Sequence, residues 1–544
     1  MPELSNIIDS YYRAWFRFYP EMAVDCGVSG YAHLLRPYDD DDIGALTVLH
    51  EKLLDGLEEI SLAECTNDQC IDMALLRGQA FLALKELSMW DWRKRDPLRF
   101  IPVNAIYQLM VRPVEDFELA IRQRLEAIPA YLRGARVHLQ SAPETIPAVW
   151  LESAILEAEH GADYFRQLRN EPRITRARVE QALTDAAEAL ETFAGFLQKE
   201  IGAKAQGDYA CGRDVFELSL RQRHFLELSA DDLHAFGERL YVQTEQQLKE
   251  VTQRLRGDTD IAAMTAQLHQ HDLTAATLLA QYQTGMQSAY AFLKQHDLIS
   301  LPQCQQLDVV ATPDFIRHQI PFAAYMEPVP TDPQQKGLYY VTIPDNDEDL
   351  REHYPQSIQH TCVHEAWPGH HLQFVTAHLA MHSRTLPRLL NASATLYEGW
   401  ALYCEQLMYE QGFLDTPESE FILLKDRLWR ALRIMLDVEL HTRGLSLEDA
   451  ATRMQAALGM SHQQAMADLR WYTHAPTVPM GYATGWALIN TTRTRLQASQ
   501  ADFSLRAFHD HLVGAGSIAL PLVLRQRFGE PLWRSVQAEV FKKS

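Results

Sequence analysis

Ten consecutive residues concentrate the chemistry of this chain: His364-Glu365-Ala366-Trp367-Pro368-Gly369-His370-His371-Leu372-Gln373. Imidazole nitrogens are good zinc ligands, and a carboxylate beside one can take a proton from attacking water. In a His-Glu-x-x-His helix the two histidines, four apart, share a face. Here Pro368 stands where the second histidine belongs. On an unbroken helix His370 is turned about 240° from His364, onto another face. His371 regains the face but lies about 10 Å further along, too far for two ligands with roughly 2 Å bonds. Pro368 and Gly369 can break or bulge the helix and return one of these histidines to His364. Periodicity leaves His370 and His371 both open.

A metal site of this kind needs a further carboxylate. In Tyr397-Glu398-Gly399-Trp400-Ala401-Leu402-Tyr403-Cys404-Glu405, the two glutamates share a face if the segment is helical. Glu398 is the favoured ligand, because Gly399 permits close approach. Glu405 then orients a ligand histidine or braces the helix, and the reverse assignment stays open. The alternative for the whole group is a structural polar cluster or a degenerate site.

Amide hydrolysis also needs a donor toward the oxygen that becomes negative. Tyr482, just after Pro479-Met480-Gly481, is a candidate, against a role as an aromatic packing anchor. His509 could donate to substrate or simply be buried and satisfied. Arg430 and Arg433, with Asp437 and His441, have spacings suited to a helix-face network. That network positions a substrate carboxylate or serves structural pairing. Tyr340 lies in a strand expected over 338–343, whose edge could pair with an extended peptide or whose faces could be buried.

The elements that must carry these groups are mainly helical. Apolar residues recur at helical spacing over 5–20, 42–90, 172–199, 230–256 and 272–295. The segment beginning Pro113-Val114-Glu115 reads as another helical region, with proline and glycine modulating its ends. Between 301 and 345, prolines and β-branched runs predict a small β element. Helices resume around the histidines and at 394–410, 420–443, 446–457, 482–500 and 503–512. We therefore expect a large helical fold with a deep central cleft. A soft boundary near 300 separates a helical region, 1–300, from a metal-site region, 301–544, and both could form one continuous fold.

Composition narrows the function. The chain has 544 residues, 47% hydrophobic and 22% charged, enough for a sizeable core. Its 72 acidic and 50 basic residues give a net charge of -22, which argues against a nucleic-acid partner. The N-terminal segment does not read as a secretory signal, and no apolar run reaches the roughly 18 residues of a membrane span. Seven scattered cysteines point to reduced thiols and a cytoplasmic setting. No heptad pattern specifies an oligomeric state.

The motifs HEAWPGHHLQ, YEGWALYCE, VPMGYATG and LRAFHDHLVGAG, with the aromatic segment WFRFYPEMAVDCGVSGY, resemble the bacterial family called domain of unknown function 885. The resemblance covers nearly the full chain. That family looks like a divergent relative of helical zinc peptidases (gluzincins) of the angiotensin-converting and oligopeptidase type, with a zincin-like fold. The resemblance implies His364 and the histidine after Pro-Gly as zinc ligands, Glu365 as base and Glu398 as downstream ligand. It favours His370, by its Gly-His placement, over His371. The expected function is a zinc metallopeptidase with about one functional Zn2+ per chain, acting on a peptide or small amide. A metal-dependent amidase or other small-molecule hydrolase is the second reading. A helical interaction protein with a degenerate site is the third.

Overall fold

A computed structural model describes residues 3–174, 177–317, 320 and 322–542. Helices dominate, and their ends follow local chemistry. The helix Ala230–Arg256 opens on Ser229, whose hydroxyl accepts the Asp232 N–H while Asp232 accepts the Ser229 N–H. This reciprocal cap starts the helix within a residue of the expected 230–256. Gly257, at φ 85°, closes it in the left-handed region that glycine adopts without strain. The segment after Pro113 is a helix, Phe117–Ser141, but Pro129 lies inside it rather than at an end. Buried Leu125, Ile128 and Leu132 anchor the turns on both sides of that proline.

The chain forms two compact units. One comprises Met1–Tyr209, Pro313–His318 and Val329–Thr331. Its core includes Tyr12, Phe16, Phe100, Leu125 and Phe165, all at most 1% exposed. The other comprises Ala210–Thr312, Gln319–Pro328 and Asp332–Ser544, and it holds every candidate site residue.

In this second unit the β element is a three-stranded sheet of order β1-β3-β2. β1 (Gln306–Ala311) pairs parallel with β3 (Lys336–Val341), and β2 (Ala323–Met326) pairs antiparallel with β3. One face is sealed by Tyr339 and Val341 against Leu278 and Tyr282 of the helix Ala275–His296. Ile358 and Cys362 join the same cluster, so the sheet fixes the position of the helix bearing His364. Among the described residues, no helix is long and apolar enough to cross a membrane.

Candidate metal centre

The helix Pro355–Glu365 stops where the sequence needs it to stop. Ala366 leaves the helical region (φ -114°, ψ -81°), and the Gly369 N–H donates back to the Val363 carbonyl at 3.0 Å. A new helix, His370–Leu379, starts immediately after this turn. A Cβ on Gly369 would lie 1.8 Å from the His364 carbonyl oxygen, so only glycine fits. The turn returns His370 to His364, with ring centroids 4.9 Å apart and planes at 89°. Trp400 donates its indole N–H to the Pro368 carbonyl at 2.8 Å, tying the turn to the next helix of the site.

That helix, Ala394–Glu410, carries Glu398 and Glu405. Gly399 does permit a close approach, but to another backbone. Its Cβ would sit 2.5 Å from Gly485 Cα, and a Cβ on Gly485 would sit 2.0 Å from the Thr395 carbonyl. Glycine on both sides lets the helices Ala394–Glu410 and Gly481–Ser499 touch main chain to main chain. The contact brings Tyr482 to the Glu398 carboxylate.

His364, His370 and Glu398 converge as a cluster able to hold a metal ion. Glu398 Oε2 is 3.5 Å from His364 Nε2 and 3.4 Å from His370 Nε2. Two ligand atoms about 2.0–2.1 Å from a tetrahedral ion lie about 3.3 Å apart, so these spacings suit one zinc. Glu398 Oε2 is buried without a hydrogen-bond partner, which a cation would supply. The far nitrogen of His364, Nδ1, is 2.7 Å from Glu405 Oε1, the carboxylate–histidine arrangement that orients a ligand ring.

The electrostatics favour positive charge here. Burial alone would lower the His364 pKa, but Glu398 and Glu405 push it up to about 10. Burial alone would raise Glu398, yet His370 and His364 hold it well below the usual carboxylate range. Glu405 is likewise held low against its burial, chiefly by His364. Glu365 is raised by burial, only partly offset by His370 and His364. Tyr482 is raised well above a free phenol by burial and by Glu398. Glu365, Tyr397, Glu398 and Tyr482 each keep some exposed surface.

Other expected site residues lie elsewhere. His371 points away from the cluster: Nδ1 is 3.1 Å from the Tyr325 hydroxyl and Nε2 is 3.0 Å from Gln305 Oε1. With both nitrogens held by the β element, it has none for a metal. His509 is fully buried, with Nε2 at the Tyr403 hydroxyl and Nδ1 at the Leu298 carbonyl, both at 2.7 Å. It braces the Glu398 helix through Tyr403. Tyr340 belongs to the central strand, whose two edges are already paired, so it offers no edge to a peptide. The free edge of the sheet beside the histidines is β2.

The Arg430–His441 stretch is paired within the protein, and the Arg430 charge also acts on Glu365 and Glu405. Arg430 pairs with Asp426 at 3.0 Å. Arg433 donates to the Tyr472 hydroxyl at 2.7 Å and to Asp468 at 3.1 Å, and lies 4.6 Å over the Tyr482 ring. Asp437 accepts the Thr477 and Met480 N–H groups, both at 3.2 Å, fixing the loop that leads into Tyr482. His441 meets the Tyr472 carbonyl at 3.0 Å. Sequence reasoning passed over Tyr325 and Gln305, which carry no motif. It also passed over His360, which the four-residue spacing to His364 could have revealed. His360, Glu405 and Asp426 form a second group with metal-ligand proximity.

Comparison with known proteins agrees with this architecture. Residues 20–527 match the family described as "Bacterial protein of unknown function (DUF885)", and the chain belongs to it. Comparison with curated proteins gave no match. Two solved structures share the fold. A "putative lipoprotein of unknown function" from Shewanella oneidensis has a TM-score of 0.78 at 19% identity, over 97% of this chain and 100% of that one. A "putative lipoprotein" from Colwellia psychrerythraea has a TM-score of 0.80 at 18% identity, over 99% of each chain. The M32 carboxypeptidase from Deinococcus radiodurans R1 is a distant match, with a TM-score of 0.41 at 12% identity over 99% of each chain. The two lipoprotein names overturn the cytoplasmic setting expected from the sequence. That expectation rested on scattered cysteines, on an N-terminal segment that does not read as a secretory signal and on the lack of an apolar span, and a lipid-anchored protein needs no apolar span.

Proposed function

We propose that this chain is a zinc-dependent peptidase, with His364, His370 and Glu398 as ligands and Glu365 as general base. The observation that carries the reading is the company the cluster keeps. A carboxylate raised by burial, Glu365, and a phenol, Tyr482, both border three ligand side chains spaced for one ion. Zinc bound there supplies a Lewis acid that polarises the scissile carbonyl and acidifies water.

The chain's own residues supply the rest. Glu405 fixes the His364 ring so that Nε2 faces the centre. Glu365 takes a proton from the attacking water, and its raised affinity for that proton suits later delivery to the leaving amine. Tyr482 donates its phenolic hydrogen to the oxygen that gains charge. Arg433 and Asp437 hold Tyr482 in place, one over its ring and one through the preceding loop. β2, the free edge beside Tyr325 and His371, is where an extended peptide can align.

The test is E365Q, which keeps shape but removes the base. Zinc content and folding should match the wild type while kcat/KM on a diverse peptide library falls about 100-fold or more. Near-wild-type turnover by zinc-loaded E365Q would refute the role of Glu365. Cleavage confined to non-peptide amides would transfer the same site to an amidase. H364A and E398A should each lose tight zinc binding, and retention in both would sink the ligand assignment.

A further inference from the structure

One turn before His364 on the same helix, His360 is 2% exposed, and neither ring nitrogen has a hydrogen-bond partner. Such a group is costly to bury unless something outside the protein satisfies it. Its neighbours are of one kind. Glu405 spends Oε1 on His364, while its Oε2 is buried and unpartnered. Asp426, on the helix Ser419–Thr442, receives Arg430 Nη1 at Oδ1 and has its side chain 27% exposed. One ligand atom from each of His360, Glu405 and Asp426 lies within 4.8 Å of the others, yet His360 hydrogen-bonds neither carboxylate.

We propose that His360, Glu405 and Asp426 form a second divalent-cation site, sharing Glu405 with the first. Ligands of a six-coordinate ion with bonds of about 2.1–2.4 Å stand about 3.0–4.8 Å apart, from adjacent to opposite positions. One imidazole and two carboxylates suit Zn2+ or Mn2+, and the exposed side of Asp426 admits water to complete the shell. Arg430 hydrogen-bonds Asp426 at Oδ1 and its charge also favours ionised Glu405. It leaves the Glu405 and His360 atoms unsatisfied. A cation satisfies one ring nitrogen of His360 and a carboxylate oxygen of Glu405, and it relieves the repulsion between the two carboxylates. Because Glu405 also orients His364, the two sites are coupled, and loading one changes the affinity of the other by the same factor in both directions.

The experiment is a metal count on full-length protein saturated with Zn2+ or Mn2+ and freed of excess, read beside anomalous diffraction from wild-type crystals. The expected result is two equivalents in the wild type and one each in H360A, D426N and E398A. An anomalous peak should lie between His360, Glu405 and Asp426. D426N alters a partly exposed side chain, so it serves if H360A does not fold. The proposal is overturned by a count unaffected by H360A and D426N, or by water at that position. Loss of one equivalent in E398A alone would leave the peptidase reading standing and remove only the second site.

Discussion

Substituting alanine for Gly369 tests whether the turn, rather than the ligands alone, makes the metal centre. The new methyl would lie 1.8 Å from the His364 carbonyl oxygen and 2.4 Å from that of Val363. Carbon and carbonyl oxygen in contact need about 3.3 Å, so the turn must open by about 1.5 Å. Both obstacles are backbone, and no side-chain rotation relieves them. Metal sites tolerate errors of about 0.2 Å in ligand distance. Opening the segment between His364 and His370 therefore costs one of three ligands, and we expect zinc affinity to fall at least about 100-fold, or about 2.7 kcal/mol. The metal-free protein should also lose about 1–3 kcal/mol from overpacking. Chelator competition gives the first quantity, and denaturant unfolding of the metal-free form gives the second. G369A protein that binds zinc within threefold of wild type would refute the reasoning, since His370 would then not depend on the turn.

Removing the phenol oxygen in Y482F should lower kcat about 100-fold, with zinc content and KM little changed; an unaltered kcat would assign Tyr482 to packing. D437N should lower stability by about 1–3 kcal/mol, because an amide cannot accept both the Thr477 and Met480 N–H groups. Denaturant unfolding measures that loss. Stability should also peak near pH 6.5 from four buried groups. Burial lowers His50, His353 and His509 to about 4 from 6.5, so their contribution is present above pH 6.5 and lost as pH falls toward 4. Burial raises Asp437 from 3.8 to about 8, so its contribution is present below 4 and lost as pH rises through 8. Thermal midpoints across pH 4–9 check both slopes, and H509N and D437N should flatten the acid and alkaline limbs respectively.

The sequence made the helices legible wherever periodicity met a cap, as at Ser229 and Gly257. It also pointed to His364 and Glu398 of the cluster and to the need for a break at Pro368-Gly369. The choice between His370 and His371 was illegible in spacing. It depends on Tyr325 and Gln305, far along the chain, which hold His371 at the sheet. The place of Tyr340 was illegible for a related reason, since a strand's composition does not say whether it lies at the centre or the edge. The partners of Arg433 were also illegible, since Asp468 and Tyr472, which close around it, lie on another helix.

The contact of Gly399 with Gly485 has a bearing on motion. Where two backbones touch, there is no side chain to re-pack and no sliding without collision. The ligand Glu398 and the phenol Tyr482 therefore travel as one piece. Any opening of the site to admit a long chain must hinge elsewhere, as at the margin of the sheet. If the proposed peptidase reading holds, this arrangement keeps Glu398 and Tyr482 in register throughout turnover.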